Sequence, residues 1–191
     1  MVWQCSLSTL IYIMCLFPVS MIAQEKSSAN DFRQLLDNYY EERMTLYPLE
    51  ATGAGDNRYN DRLPNMASEE FRNQTHEFYS KYKNLLKDLD RLALKANDRI
   101  SYDILLEVVQ RELEGEGLQR EYIPFAQFFS LPLSMGQLGS GTSIQPFKSV
   151  NDYENWLKRI DAFTPYVDTA IEYFNRASGQ EWCCQKRLLL K

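Results

Sequence analysis

The sequence is poor in the two residue types that stabilise many small domains through disulfides or metal ions. No cysteine occurs between residues 24 and 182, and His76 is the only histidine in the 191 residues. An exported domain without cysteines depends on its hydrophobic core for stability. A zinc site needs three or four protein ligands, mostly Cys and His. We therefore expect no disulfide framework, no metal site and no cofactor in this chain.

Clusters of basic residues are also absent. The formal net charge is −5, from 21 Lys and Arg residues and 26 Asp and Glu residues. Nucleic-acid-binding proteins need grouped Lys and Arg side chains, because these displace the counterions of the phosphate backbone. We therefore expect no nucleic-acid partner.

Sequence motifs for catalysis are missing as well. A Ser–His–Asp triad would have to use His76, and no Gly-x-Ser-x-Gly elbow is present. Gly53 and Gly55 open neither a Rossmann nor a P-loop pattern, because a third glycine and a Lys-Ser/Thr pair are lacking. A His-Glu-x-x-His zinc motif would need a second histidine. We predict no catalytic residue in this chain.

An uncharged apolar run covers residues 7–23, and a polar stretch follows it. This pattern is typical of a secretory signal peptide with cleavage near Ala23, although no basic residue precedes the run and Met21 is larger than usual there. The alternative is a membrane anchor, but the run is short for a bilayer span and lacks a basic flank. We expect residues 1–23 to be a signal peptide, the protein to be periplasmic or extracellular, and no membrane span to remain after cleavage.

Apolar residues recur at helical spacing along residues 24–178 and predict four or five helices without a strand. The expected fold is an irregular antiparallel all-α domain. The first helix should end before Pro48, and Pro165 should kink or split the last helix. A stretch rich in Pro, Gly and aromatic residues, 122–148, is predicted as a long loop that packs onto another surface.

Two apolar stripes are prominent, and each indicates one helix face. A long helix should start near Ser68 and end near Ala96, and Ser149 with Asp152 resembles a capping box for the last helix. The stripe of the long helix comprises Phe71, Thr75, Phe78, Tyr82, Leu85, Leu89 and Leu92. The stripe of the last helix comprises Tyr153, Leu157, Ile160, Val167, Ile171 and Phe174.

The loop of residues 56–61 is dense in polar side chains and could bind a ligand or a metal ion. Arg58, Tyr59 and Asp61 are the candidate binding residues. The competing interpretation is structural, because Asx-type turns and Arg–carboxylate contacts hold such loops to themselves. The composition of the loop favours the structural interpretation.

Three sets of sequence stretches occur in a characteristic order. The first set is YPLEAT at 47–52 with GDNRYNDRLP at 55–64, and the second is DRISYDIL at 98–105. The third is QLGSG at 137–141 with QPFK at 145–148 and DYENWL at 152–157. In order and spacing these stretches resemble a bacterial family, domain of unknown function 885, over residues 31–176.

The resemblance implies an exported, largely helical protein several times longer than this chain. The later part of such proteins carries a His-Glu-x-x-x-x-His-like motif and resembles zinc metallopeptidases. Nothing in this sequence corresponds to that motif, so zinc is implied for full-length relatives only. We therefore expect a truncated N-terminal fragment without catalytic activity, whose packing partner is the missing C-terminal part of the same protein. The alternatives are a stand-alone helical binding or interaction module and an enzyme in its own right.

The tail, residues 179–191, departs from the family, which continues with a segment like Gly-Val-Val-Leu-Pro-Lys. The codons of residues 181–186 can be read in a frame that starts one base earlier. The third and fourth residues of the resulting peptide must then be Val and Leu, whichever codons are used. Gly-Met-Val-Leu-Pro-Lys is then among the allowed products. We expect a frameshift shortly before Gln180, so that residues 24–178 are the N-terminal helical part and the tail is out of frame. A genuine divergent C-terminus is the alternative.

Resequencing the gene from the Ser178 codon to well past the Lys191 codon tests this frameshift. The expected result is a shifted reading frame that continues without interruption and encodes a His-Glu-x-x-x-x-His-like motif. Independent reads that support the present frame, with no coding continuation downstream, would contradict the frameshift.

Overall fold

The computed structural model describes residues 30–118, 122–123, 125 and 130–179. Within these ranges the chain forms six α-helices and no β-strand, so the predicted all-α class is confirmed. The predicted signal peptide and residues 180–191 lie outside the described residues. The helices are α1, residues 30–46; α2, Pro48–Gly53; α3, Glu69–Lys87; α4, Ala96–Gly115; α5, Leu131–Leu138; and α6, Val150–Gly179. Short 3-10 helices span Asn57–Tyr59, Arg91–Ala93 and Glu116–Leu118.

Pro48 separates α1 from α2. The proline ring restricts the residue before it, and Tyr47 accordingly leaves the helical region with φ −120° and ψ 71°. Proline is favourable in the first turn of a helix, where its missing N–H needs no partner, so Pro48 opens α2. The predicted end of the first helix before Pro48 is confirmed.

Helix α3 begins as predicted but ends earlier than predicted. The Ser68 Oγ accepts a hydrogen bond from the Phe71 N–H at 3.1 Å and caps the first turn. The helix ends at Lys87 and not near Ala96. The Asp90 carboxylate then accepts from the backbone N–H two residues ahead at 2.9 Å and starts a 3-10 turn. Such local side-chain bonds compete with helix continuation, which explains the early end.

The buried face of α3 rotates away from the predicted stripe. Phe71, Phe78 and Tyr82 are buried as predicted, but the next buried residue is Leu86, whereas Leu85 is 40% exposed. An α-helix has 3.6 residues per turn, so a row of alternating three- and four-residue steps drifts around the helix. The predicted stripe was therefore wrong at Leu85 and, beyond the end of the helix, at Leu92, which is 74% exposed.

The predicted loop of residues 122–148 contains a helix, α5, so the prediction of a continuous loop was wrong. Pro132 lies in its first turn, where proline is tolerated. The three buried residues follow one face at steps of four and three. They are Leu131, Met135 and Leu138. Helix α5 is short and lies in a segment rich in glycine and proline. This composition predicts a loop, so the apolar face of the helix was not recognised from the sequence.

The buried apolar residues form two clusters. The first core cluster joins α1, α3 and α4, and consists of Phe32, Leu35, Phe78, Tyr79, Tyr82, Leu86, Leu94, Tyr102, Leu105 and Val109. The second core cluster joins the segment before α3 to α5 and α6, and consists of Leu63, Ala67, Leu131, Met135, Leu138, Tyr166 and Ala170.

Helix α6 starts with the predicted capping box. The Asp152 carboxylate accepts from the N–H groups of Lys148 and Ser149 at 2.9 Å each, and the Ser149 Oγ accepts from the Asp152 N–H at 3.2 Å. Hydrogen bonds from Ser149 and Lys148 lower the pKa of the Asp152 carboxyl. Pro165 lies inside α6 and does not split it, contrary to one of the two predicted outcomes. Neither α6 nor another helix in the described part is long and apolar enough to cross a membrane.

Gly139, at the end of α5, allows close packing against α6. A Cβ atom added to Gly139 would lie 2.8 Å from Trp156 Cζ2, well inside van der Waals contact. The backbone φ of Gly139 is −73°, which every residue can adopt. Space, and not backbone freedom, is therefore the reason for glycine at this position.

We predict that Gly139→Ala lowers the free energy of unfolding by about 1–3 kcal/mol, because the added methyl group overpacks the Trp156 contact. Urea denaturation followed by circular dichroism measures the change. Gly136→Ala is the matched control in the same helix, since no atom lies within 4 Å of its Cβ position. The control should be neutral or stabilising by up to about 1 kcal/mol. Equal effects of the two substitutions would show that the Trp156 contact is not responsible.

Candidate functional site

A buried guanidinium group, that of Arg159, connects α6 to α2 and to the loop that follows α2. The side chain is fully buried. Its Nη2 donates to Pro48 O at 3.2 Å, to Thr52 Oγ1 at 2.7 Å and to Tyr59 O at 3.1 Å. A single nitrogen thus contacts both ends of α2 and the 3-10 turn.

The other guanidinium nitrogens reach two further segments. The Arg159 Nε donates to Arg62 O at 3.1 Å, and Nη1 donates to the Gln145 Oε1. Thr52 extends the network, because its Oγ1 lies 2.7 Å from Asn60 Oδ1. Thr52, Asn60 and Gln145 are all buried, so the network is shielded from water.

The charge of Arg159 is held by dipoles and not by a carboxylate. Its hydrogen-bond partners among the described residues are carbonyl, amide and hydroxyl oxygens. Burial lowers the pKa of Arg159 to about 10, and the charge of the nearby Asp61 only partly opposes this. A buried cation is tolerated when its donors are bonded. The arrangement holds these segments together, and the Thr52 hydroxyl beside the guanidinium is itself hydrogen-bonded within the network.

The predicted binding residue Arg58 is engaged with neighbouring carboxylates. Its Nε lies 2.9 and 3.0 Å from the two Asp56 carboxylate oxygens, and its Nη2 lies 2.8 Å from Glu41 Oε2. Arg58 lowers the pKa of the Asp56 carboxyl through these bonds. Gly55 has a φ of 84°, a backbone conformation that favours glycine, and allows the turn before Asp56. These contacts hold the loop to itself and to α1.

The other two predicted residues also contact neighbouring elements. The Thr45 Oγ1 donates to the Tyr59 hydroxyl at 3.1 Å, while the Tyr59 carbonyl accepts from Arg159. Asp61 lies 3.9 Å from the nearest nitrogens of Arg62 and Lys158, at the edge of ion-pair distance. The structure therefore places Arg58, Tyr59 and Asp61 around one loop, and their binding role stays a prediction.

The stretch at residues 98–105 closes the connection between α3 and α4. The Tyr102 hydroxyl is buried and donates to Leu86 O at 2.9 Å, in the last turn of α3. The Arg91 guanidinium binds the Asp103 carboxylate through two bonds of 2.6 and 2.7 Å and lowers its pKa. The polar side chains of this stretch thus stabilise the connection between α3 and α4.

A cleft with a volume of about 540 Å³ lies between the two core clusters. Its polar wall contains the hydroxyls of Tyr47 and Tyr79, which lie 3.3 Å apart, and the Arg43 Nη1 donates to Tyr79 at 2.8 Å. Burial, and then the contact with Tyr79, raises the pKa of Tyr47 above its usual value, so this phenol stays neutral. The apolar wall includes Leu49, Met66, Phe71, Ile123, Leu131 and Tyr166.

Two hydroxyl groups in the cleft wall are hydrogen-bonded to the backbone. The Ser134 Oγ donates to Ser130 O at 3.3 Å, and the Thr75 Oγ1 donates to Arg72 O at 2.8 Å. Both bonds lead to backbone carbonyls and not to a basic side chain. Glu112 also lines the cleft, and its carboxylate has no hydrogen bond within the described residues.

Within the ranges that the structure describes, the residues do not fit a zinc site. The His76 Nδ1 lies 2.8 Å from Glu116 Oε2, and its Nε2 lies 3.4 Å from Ser80 Oγ. His76 is exposed on α3. Across the described ranges, His, Cys, Asp and Glu side chains form no group of three or more that could hold a metal ion.

The chain matches a family described as "Bacterial protein of unknown function (DUF885)" over residues 48–190. It belongs to the DUF885 family. The match starts at the first residue of α2 and includes the complete Arg159 network. It also extends past residue 176, where the sequence resemblance ended, into the tail. Neither the curated proteins nor the solved structures provide a match.

Arg159 is the residue of the DUF885 match that sequence reasoning missed. The helical pattern of α6 contained a signal for it. Trp156, Phe163 and Tyr166 lie three residues before it and four and seven residues after it, and so share its helix face. A charged residue in the middle of an apolar helix face is expected to be buried with partners. Its partners could not be read from the pattern, because all except Gln145 lie about 100 residues away, as at Tyr59.

We predict that Arg159→Met lowers the free energy of unfolding by about 2–5 kcal/mol, because several buried acceptors lose their donor at once. Arg159→Lys should recover only part of the loss, since an ammonium group cannot reproduce the planar fork. Chemical denaturation measures both variants. Lys158→Met on the same helix is the control and should change stability by less than about 0.5 kcal/mol. A similar loss in the control would contradict the role assigned to Arg159.

Proposed function

We propose that this DUF885 chain is the N-terminal helical part of a larger exported protein, that it serves as an interaction unit, and that it has no catalytic activity of its own. The observation that carries the proposal is an exposed apolar stripe on α6. We define the α6 stripe as Val150, Tyr153, Leu157, Ile160, Ile171 and Phe174. The exposed fractions of these side chains range from 43% for Ile160 to 76% for Val150.

The α6 stripe is a second apolar face on a helix that already buries one. Arg159, Tyr166 and Ala170 on the first face are buried. The stripe residues follow each other at steps of three and four, apart from the gap between Ile160 and Ile171, where the half-buried Val167 continues the row. A contiguous exposed apolar row of this kind is typical of an interaction surface. The stripe predicted from the sequence therefore supports packing against a further part of the protein.

Export of the protein, and the location of a zinc site in its remaining part, are further elements of this proposal. The apolar run of residues 1–23 supports a signal peptide and a periplasmic or extracellular location. The family resemblance supports a zinc-metallopeptidase-like remainder of the protein. In that case zinc would be held by the remainder, because no suitable ligand group exists within the described residues of this chain.

A second candidate function is that of a stand-alone binding module. The cleft between the two core clusters favours it, because Glu112 and the Tyr47 and Tyr79 hydroxyls offer polar contacts beside aromatic rings. This candidate predicts saturable binding of a small organic cation by the isolated chain, lost in Glu112→Gln. Isothermal titration with the purified chain separates it from the leading proposal.

The leading proposal predicts that Leu157→Gln with Ile171→Gln changes the free energy of unfolding by less than about 1 kcal/mol, because both side chains are about half exposed. The same variant should bind markedly less of an apolar fluorescent dye than the unmodified chain, because the stripe is a dye-binding surface. Leu133→Gln, which changes an exposed leucine outside the stripe, is the control for dye binding.

Two results would count against the proposal. A loss of more than about 2 kcal/mol in the stripe variant would mean that the stripe is buried within the chain itself. Hydrolysis of peptides or esters by the purified chain in the presence of a chelator would mean that it is an enzyme in its own right.

A further inference from the structure

One side of the α6 stripe is bordered by carboxylates. We define the acidic border as Glu154, Asp161, Asp168 and Glu172, which are all exposed. Each of them directly follows a residue of the stripe row, namely Tyr153, Ile160, Val167 or Ile171. Successive residues are about 100° apart around a helix, so the four carboxylates share a sector about 40° wide.

The charge of the acidic border is largely uncompensated. Glu172 forms an ion pair with Arg176 one turn later. Glu154, Asp161 and Asp168 form no ion pair within the described residues. Lys158, an exposed basic residue between Glu154 and Asp161, lies 3.9 Å from Asp61, at the edge of ion-pair distance. Three unpaired negative charges therefore run beside the apolar row.

The opposite side of the stripe leads into the protein. Trp156 and Phe163 adjoin the stripe there, are only partly exposed and pack against the second core cluster. A helix that lies on the stripe would therefore meet protein on one flank and the acidic border on the other. Charges beside an apolar helix seam select a partner of opposite charge.

We infer that the α6 stripe binds an amphipathic helix whose apolar face is bordered by Lys or Arg side chains. The inference rests on the proposed interaction function and adds the chemistry of the partner. Apolar contacts would supply most of the affinity, and the acidic border would supply the selectivity.

A second copy of this chain does not provide that partner chemistry. Two α6 helices related by a two-fold axis would use the same surface on both sides. In an antiparallel pair, whose two-fold axis is perpendicular to the helices, the two acidic borders would lie on the same side and repel each other. In a parallel pair each acidic border would instead face the Trp156 and Phe163 flank of the other copy, which offers no row of basic side chains. Neither symmetric arrangement therefore pairs the acidic border with opposite charge.

Two synthetic helical peptides of about 25 residues, long enough to cover the stripe, test the inference. Both carry leucine at the apolar heptad positions, and one has lysine and the other glutamate at the bordering positions. Fluorescence anisotropy with the full chain measures their dissociation constants. The lysine-bordered peptide should bind at least about tenfold more tightly, and the difference should shrink at high salt.

Charge-reversed variants make the test specific to the border. The triple variant Glu154→Lys, Asp161→Lys and Asp168→Lys should reverse the preference between the peptides. A control triple variant alters the net charge equally at exposed acidic positions on other helices, and should keep the original preference. Its substitutions are Asp37→Lys, Glu77→Lys and Glu114→Lys. Leu157→Gln with Ile171→Gln should weaken both peptides.

The following results would overturn the inference. Equal binding of the two peptides, no binding of either, or an unchanged preference after reversal of the border would remove the role of the carboxylates. The interaction function itself would survive these results if the dye and stability tests of the stripe succeed. A chain that sediments as a dimer, and becomes monomeric in the Leu157→Gln and Ile171→Gln variant, would make a second copy the occupant.

Discussion

The fold of the second half of this protein depends on the burial of one positive charge. Arg159 is removed from water, and its hydrogen bonds reach α2, the loop after it and the segment before α6. Because a buried guanidinium is costly unless its donors are bonded, these segments must lie close to α6. The burial of the polar residues Thr52 and Gln145 is explained by their hydrogen bonds to this guanidinium. The first and third sets of DUF885 stretches meet at this guanidinium, although residues 65–136 separate them in the chain.

Helix α6 has two faces in different environments. One face completes the second core cluster and carries Arg159, and the other leaves the α6 stripe exposed beside its acidic border. A helix that is rigidly anchored on one face offers a preorganised surface on the other. Recognition by such a surface costs little conformational entropy on this side of the contact. The cleft between the clusters contributes polar groups, of which the Thr75 and Ser134 hydroxyls donate to backbone carbonyls.

Local features were predicted well where the deciding hydrogen bonds are local. The end of α1 before Pro48 and the capping box of Ser149 and Asp152 depend on residues within one turn. Two predictions were wrong where helical and non-helical conformations differ little in local free energy. These are the end of α3 and the continuous loop in which the short helix α5 lies. Tertiary packing decides such cases, because it outweighs intrinsic propensity.

The sequence by itself determined the all-α class, the approximate helix positions and the apolar rows, because helical periodicity is a local property of the chain. Only the tertiary structure decided which rows are buried. It placed the Arg159 face of α6 in the interior and left Leu157 and Ile171 exposed. It also selected the partners of Arg159, such as Thr52, 107 residues away. The physical reason is that burial and long-range hydrogen bonds depend on the positions of all helices at once, and the pattern of any one helix does not contain them.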